Sequence, residues 1–230
     1  MPSDNLDSPN QGLGSLDLTE TTTSSNLLRL WLGINVLGFA IATPLSFLMT
    51  LSTRYYETLY IAGFIVGAII GPLQAFVIKR QVPKLKSWQW ILANIFGSYL
   101  GSWAGLLGFG TVILLAESFN NSIQDGIIGK ILTFTTYGAV IGLCVSAAQL
   151  STLRDHTQGL RQWWIANFLG RTLGWLCAGL LGWTISSSAS TKDPRFLIIL
   201  GAPLGAVGGA IYAAATAKAL LNFKPKSSAP

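Results

Sequence analysis

Six long apolar stretches separated by short polar connections run along the chain. They are roughly Leu27 to Leu51, Leu59 to Ile78, Trp88 to Ala116, Ile127 to Gln149, Gln162 to Ile185 and Phe196 to Leu221. Each reaches or exceeds the ~20 residues that a helix needs to cross about 30 Å of hydrocarbon. Backbone groups in lipid must bond within their own segment, so runs of this length predict helices. Five of the stretches hold no Asp, Glu, Lys or Arg at their centres; the stretch from Gln162 to Ile185 holds one, Arg171. The pattern predicts an all-α integral membrane protein with six transmembrane helices over 27–221. Residues 1–26 are rich in Ser, Thr, Asn and Asp and have too few large apolar side chains to build a core. They are expected to form a disordered tail, and with no basic start they do not read as a cleaved signal peptide. Residues 222–230 read as a short basic tail.

The stretches repeat in pairs. The odd-numbered ones begin WLGINVLG, WILANIFG and WWIANFLG, which align Trp31, Asn35, Gly38 and Ala42 with Trp90, Asn94, Gly97 and Gly101, and with Trp163, Asn167, Gly170 and Gly174. Spacing of i, i+4, i+7 and i+11 is one helix face, so each odd helix carries an interfacial Trp, an Asn one turn deeper, and then small residues. The even-numbered stretches carry glycines four apart: Gly63, Gly67 and Gly71, then Gly138 and Gly142, then Gly201, Gly205 and Gly209. Gln74 follows Gly67 by seven residues and Gln149 follows Gly142 by seven, whereas the last stretch has no such Gln. Repeats of about 27–79, 88–154 and 162–221 each cross the membrane twice, so all three insert the same way up, around an axis along the membrane normal. The expected architecture is a pseudo-threefold ring of three parallel two-helix units. Four-apart small residues let helix backbones approach closely, so the glycine ladders are assigned first to packing between hairpins, and second to lining a pathway.

Composition agrees with lipid. Charged residues make up 10% of the chain, against about a quarter in a soluble domain. The charge also orients the helices. With both termini on one side, that side holds ten basic residues: Arg29, Lys79, Arg80, Lys84, Lys86, Arg154, Arg161, Lys218, Lys224 and Lys226. The opposite loops hold four, Arg54, Lys130, Lys192 and Arg195, so both termini are expected in the cytoplasm. The net charge of +6 is therefore topology signal, and no nucleic-acid partner is expected.

Catalytic patterns are missing: no HExxH, GxSxG or Walker-type loop occurs, and no enzyme activity, metal or cofactor is expected. The single histidine, His156, adjoins Asp155 in a basic loop, where a solvated pair is the plain expectation and a proton-transfer pair the sharper one. Glu57, Glu117, Asp125, Asp155 and Asp193 fall at helix ends or in loops, which argues against a membrane-embedded proton relay. Cys144 and Cys177 lie inside helices and read as small packing residues. The candidate substrate-binding residues are Arg171, Asn35, Asn94 and Asn167. Three amides at one depth would either ring the axis and coordinate a solute or bond across to neighbouring helices. Arg171 lies eight residues past Trp163, about 12 Å along the helix. It must either snorkel toward lipid phosphate or be met inside by carbonyls, amides, water or an anion.

The repeated Gln, then Leu-Arg, a short loop and W-I-x-A-N-x-x-G resembles multi-spanning membrane proteins common in cyanobacteria, which have no established activity. That resemblance covers the second to fifth helices, and it implies a bacterial inner or thylakoid membrane. The family's usual QW reads Gln74-Ala75 and Gln149-Leu150 here. Six helices in three hairpins also resemble the mitochondrial carriers in outline, without their proline-and-acid signature in the odd helices. Two functions follow as expectations: a structural or assembly role beside other membrane subunits in the bilayer, or a transporter or channel for a small neutral or anionic solute.

Overall fold

The computed structural model describes residues 14–53, 59–119, 126–188 and 195–226. It is all-α, with six long helices: α1 (Gly14–Thr53), α2 (Leu59–Gln81), α3 (Ser87–Phe119), α4 (Ile127–Leu153), α5 (Leu160–Ser188) and α6 (Arg195–Leu221). Two residue pairs, β1 (Thr157–Gln158) and β2 (Lys224–Pro225), form a small antiparallel bridge between the α4–α5 turn and the chain beyond α6.

Helix α1 begins earlier than expected, so residues 14–26, read from composition as tail, are drawn as its first turns. Extending an established helix adds one hydrogen bond per residue. Residues 1–13 lie outside the described residues, as do Arg54, Glu57, Asp125, Lys192 and Asp193.

Five helices contain segments long and apolar enough to cross a membrane: Ser24–Met49, Tyr60–Gln81, Ser87–Leu115, Ile127–Leu153 and Ile198–Leu221. The chain is thus a multi-pass membrane protein in a lipid bilayer. Helix α5 has the length, at 29 residues, but Asn167, Arg171 and a Thr/Ser-rich end lower its apolarity. The expectation of six spans is therefore met by five on apolarity alone. Large apolar side chains face outward, Leu114 at 69% exposure and Ile199 at 74%, as lipid contact requires.

Each helix packs against its neighbours in sequence, and α6 packs against α1, which closes the six into a ring. Glycines set the seams. Gly63 and Gly67 on α2 abut Ser98, Ser102, Asn94 and Ile95 of α3; Gly138 and Gly142 on α4 abut Thr172, Trp175 and Phe168 of α5; Gly201, Gly205 and Gly209 on α6 abut Pro44, Phe39 and Asn35 of α1. Gly71 adds Ile91 and Asn94 to the first of these seams. The odd helices use their own small residues the other way, toward the even helix of the same pair: Gly38 on α1 meets Ile70 and Leu73, Gly97 and Gly101 on α3 meet Val145 and Ile141, and Gly170 and Gly174 on α5 meet Tyr212 and Gly208.

The tightly packed core lies toward one end. Leu27, Val82, Leu85, Leu153, Leu220 and Phe223 cluster there with Trp31, Trp90 and Trp163. The start of the apolar part of α1, the α2–α3 turn, the end of α4 and the end of α6 therefore share one end of the ring.

Candidate functional site

Three indoles open the site. Trp31, Trp90 and Trp163 are each fully buried. The Trp163 ring stands 6.0 Å from Trp31 and 5.9 Å from Trp90, centroid to centroid, and Phe223 closes on it at 5.0 Å. Tilted aromatic pairs at this separation are attractive beyond their buried area. The rings occupy the middle of the bundle at the end where α4 and α6 finish.

One turn deeper lie the asparagines, all fully buried and all bonded. Asn35 Nδ2 donates to the Trp31 carbonyl (2.8 Å), and Asn94 Nδ2 donates to the Trp90 carbonyl (3.0 Å), so both amides are held in the same local pose. Their carbonyls then accept from the paired even helix, with Gln74 Nε2 donating to Asn35 Oδ1 at 2.7 Å and Gln149 Nε2 to Asn94 Oδ1 at 3.0 Å. Gln149 reaches further. Its Oε1 accepts from Trp163 Nε1 at 3.1 Å and from Asn167 Nδ2, so one side chain ties α3, α4 and α5 together. The amides thus bond across helices, in line with the second of the two expectations for them.

The third pair is built differently. Seven residues past Gly205, in the register of Gln74 and Gln149, the chain has Tyr212. A tyrosine has one hydroxyl in place of the amide's separate NH2 and carbonyl, and the donor to the asparagine here is Arg171, whose Nε donates to Asn167 Oδ1 at 3.2 Å. The guanidinium lies over the Tyr212 ring, with Cζ 5.0 Å from the centroid, a cation–π contact. Arg171 is 3% exposed. The snorkelling expectation is therefore corrected: the side chain is held inward by Asn167 and Tyr212 and does not extend to lipid phosphate. Opposite it, Trp31 Nε1 donates to Thr216 Oγ1 at 2.9 Å, which completes the α6–α1 seam.

The chain matches no family model, no curated protein and no solved structure.

Four buried polar atoms in this layer have no partner within the protein: Gln74 Oε1, Trp90 Nε1, Arg171 Nη2 and the Tyr212 hydroxyl. The first two stand in the sequence register of Gln149 Oε1 and Trp163 Nε1, which are bonded to one another. The Tyr212 hydroxyl sits beside Gln74, Gln149 and Arg171. Tyr212 and Thr216 are the members of the layer that sequence reasoning missed, although the seven-residue offset from Gly205 marked the first of them.

Other candidates fall elsewhere. A groove outside the ring, between α2 and α3, is lined by Pro72, Ala75, Phe76, Ile91, Ser87, Lys79 and Arg80, with the Arg80 guanidinium 4.5 Å above the Phe76 ring. Asp155 pairs with Arg154 at 3.7 Å, both well exposed, and the His156 backbone is fixed by Leu153 and Lys226. Cys144 and Cys177 are free and half-buried. Among the described residues no group of three His, Cys, Asp or Glu side chains could hold a metal ion.

Proposed function

We propose that this protein is a non-enzymatic structural or assembly component of a bacterial membrane. In this reading all six helices cross, α5 included, as three two-helix repeats about a pseudo-threefold axis, with both termini in the cytoplasm. One observation carries it: the middle of the ring is filled, by indoles at the level of the tryptophans and by bonded amides one turn deeper. Trp31, Trp90 and Trp163 meet ring to ring there, and the amides are spent on bonds between helices. Such bonds contribute roughly 0.6 to 2 kcal/mol each in a membrane, and they hold a shape instead of offering ligands to a passing solute. The resemblance to cyanobacterial membrane proteins favours an inner or thylakoid membrane.

The test is purification from native membrane beside reconstitution into vesicles. Recovery in a larger complex, with anion and neutral-solute leak no faster than in protein-free vesicles, is the expected result. A leak that disappears with Arg171→Met would instead establish the transporter reading, which draws on the unpartnered Arg171 Nη2 and Tyr212 hydroxyl.

A further inference from the structure

Arg171 brings a full positive charge into the core, where ionised groups persist only when paired or richly hydrogen-bonded. Its surroundings meet that need in part. Nε is bonded to Asn167 and the flat face rests on Tyr212, but Nη2 is buried without a partner. No carboxylate with a described side chain is placed to neutralise it. Glu117 lies in the last turn of α3, and Asp155 is in the exposed α4–α5 turn with Arg154. The adjacent Tyr212 hydroxyl, 1% exposed as a residue, is a second donor without a partner. Gln74 Oε1 and Trp90 Nε1 can be satisfied by one another or by a shared water, following the Gln149–Trp163 bond. At this pair of helices, where the repeat changes chemistry, Arg171 Nη2 and the Tyr212 hydroxyl stand beside one another near Gln74 and Gln149, with no anionic group among the described side chains to balance the charge.

We propose that Arg171 Nη2 and the Tyr212 hydroxyl bind one small monovalent inorganic anion of the halide or nitrate class, in the core between α5 and α6. Two neighbouring unpartnered donors, one of them charged, match an anion better than a neutral solute. Size is limited by the close approach of the helices on either side, where a Cβ on Gly170 would stand 3.0 Å from Ala215 and one on Gly174 would stand 3.0 Å from the Gly208 carbonyl. The site neutralises the guanidinium, and it requires no movement of the ion across the membrane.

Protein purified in gluconate, free of halide, is titrated with chloride at constant ionic strength while its unfolding temperature in detergent is followed. A ligand that binds only the folded state raises that temperature saturably. The expected result is a saturable rise with chloride, bromide or nitrate, and none with sulfate. Tyr212→Phe removes one hydrogen bond to a charged ligand and should weaken half-saturation by about tenfold or more. Arg171→Lys should weaken it further, and Arg171→Met should abolish the response. If the Met variant fails to fold, the Phe and Lys variants decide. A parent that responds to none of these anions overturns the site and leaves water there. A chloride response unchanged in Tyr212→Phe and Arg171→Lys also overturns it, by placing the ion elsewhere. Neither outcome touches the structural role, which stands or falls on the leak and the complex.

Discussion

Gln149 and Gln74 are equivalent in sequence but unequal in structure. Gln149 bonds three partners on α3 and α5, whereas Gln74 bonds one and leaves its Oε1 open. Gln149→Leu is therefore expected to destabilise the folded protein by about 2 kcal/mol and Gln74→Leu by about 1. Reversible unfolding in mixed micelles would measure the difference, and equal losses would contradict it. A similar inequality applies to the asparagines. Asn167 also carries the bond from Arg171, so Asn167→Leu should cost more than Asn35→Leu or Asn94→Leu, by about 1 kcal/mol or more, since it strands a buried charge. The amides were legible as a set in the sequence because their spacing repeats, but their partners were not. Which side chain meets which depends on the neighbouring helix and its rotation, and one stripe does not encode either. Tyr212 was not legible as a member of the set, because the third pair keeps the position while exchanging amide for ring and guanidinium.

The glycine ladders define where helices meet, and their consequences differ from site to site. A methyl group at Gly205 would press on the Phe39 carbonyl carbon at 2.7 Å, and one at Gly67 on the Ile95 Cα at 2.6 Å, both backbone atoms that cannot turn aside. Gly205→Ala and Gly67→Ala should each cost about 1 to 3 kcal/mol through overpacking. Gly33 and Gly110 have nothing within 4 Å of the added carbon. Their alanine variants should be neutral or should gain about 0.5 to 1 kcal/mol by restricting the unfolded backbone. Thermal unfolding of the four variants side by side would separate seam glycines from idle ones. The helices themselves were legible from the apolar runs, since in lipid the length of a run nearly dictates its secondary structure. Two departures have physical causes. The helix α1 reaches back to Gly14 through residues whose polarity argued for tail, because backbone hydrogen bonding continues past the last apolar side chain. The helix α5 carries Asn167 and Arg171 inward, onto Gln149 and Tyr212, so part of its low apolarity reports its neighbours in the ring.

The placement of α1's apolar start, the α2–α3 turn and the end of α6 at one end of the ring fits an even number of crossings per repeat, and it makes the topology testable. Reporters placed near Pro83, near Gly159 and after Pro230 should all report the cytoplasm, and one placed near Asn121 should report the opposite side. Activity on one side for both Pro83 and Asn121 would overturn the arrangement. The seam between α1 and α6 has a further meaning for how the protein is made. Ribosomes deliver helices to the membrane in order, so the first helix waits for the last. Until α6 arrives, α1 presents Asn35, Phe39 and Pro44 to whatever lies alongside, and Trp31 lacks its Thr216 acceptor. The incomplete ring is an open crescent in which the Trp31 indole N–H lacks its acceptor, and a translocon or insertase that shelters that edge is expected to raise the yield of closed rings.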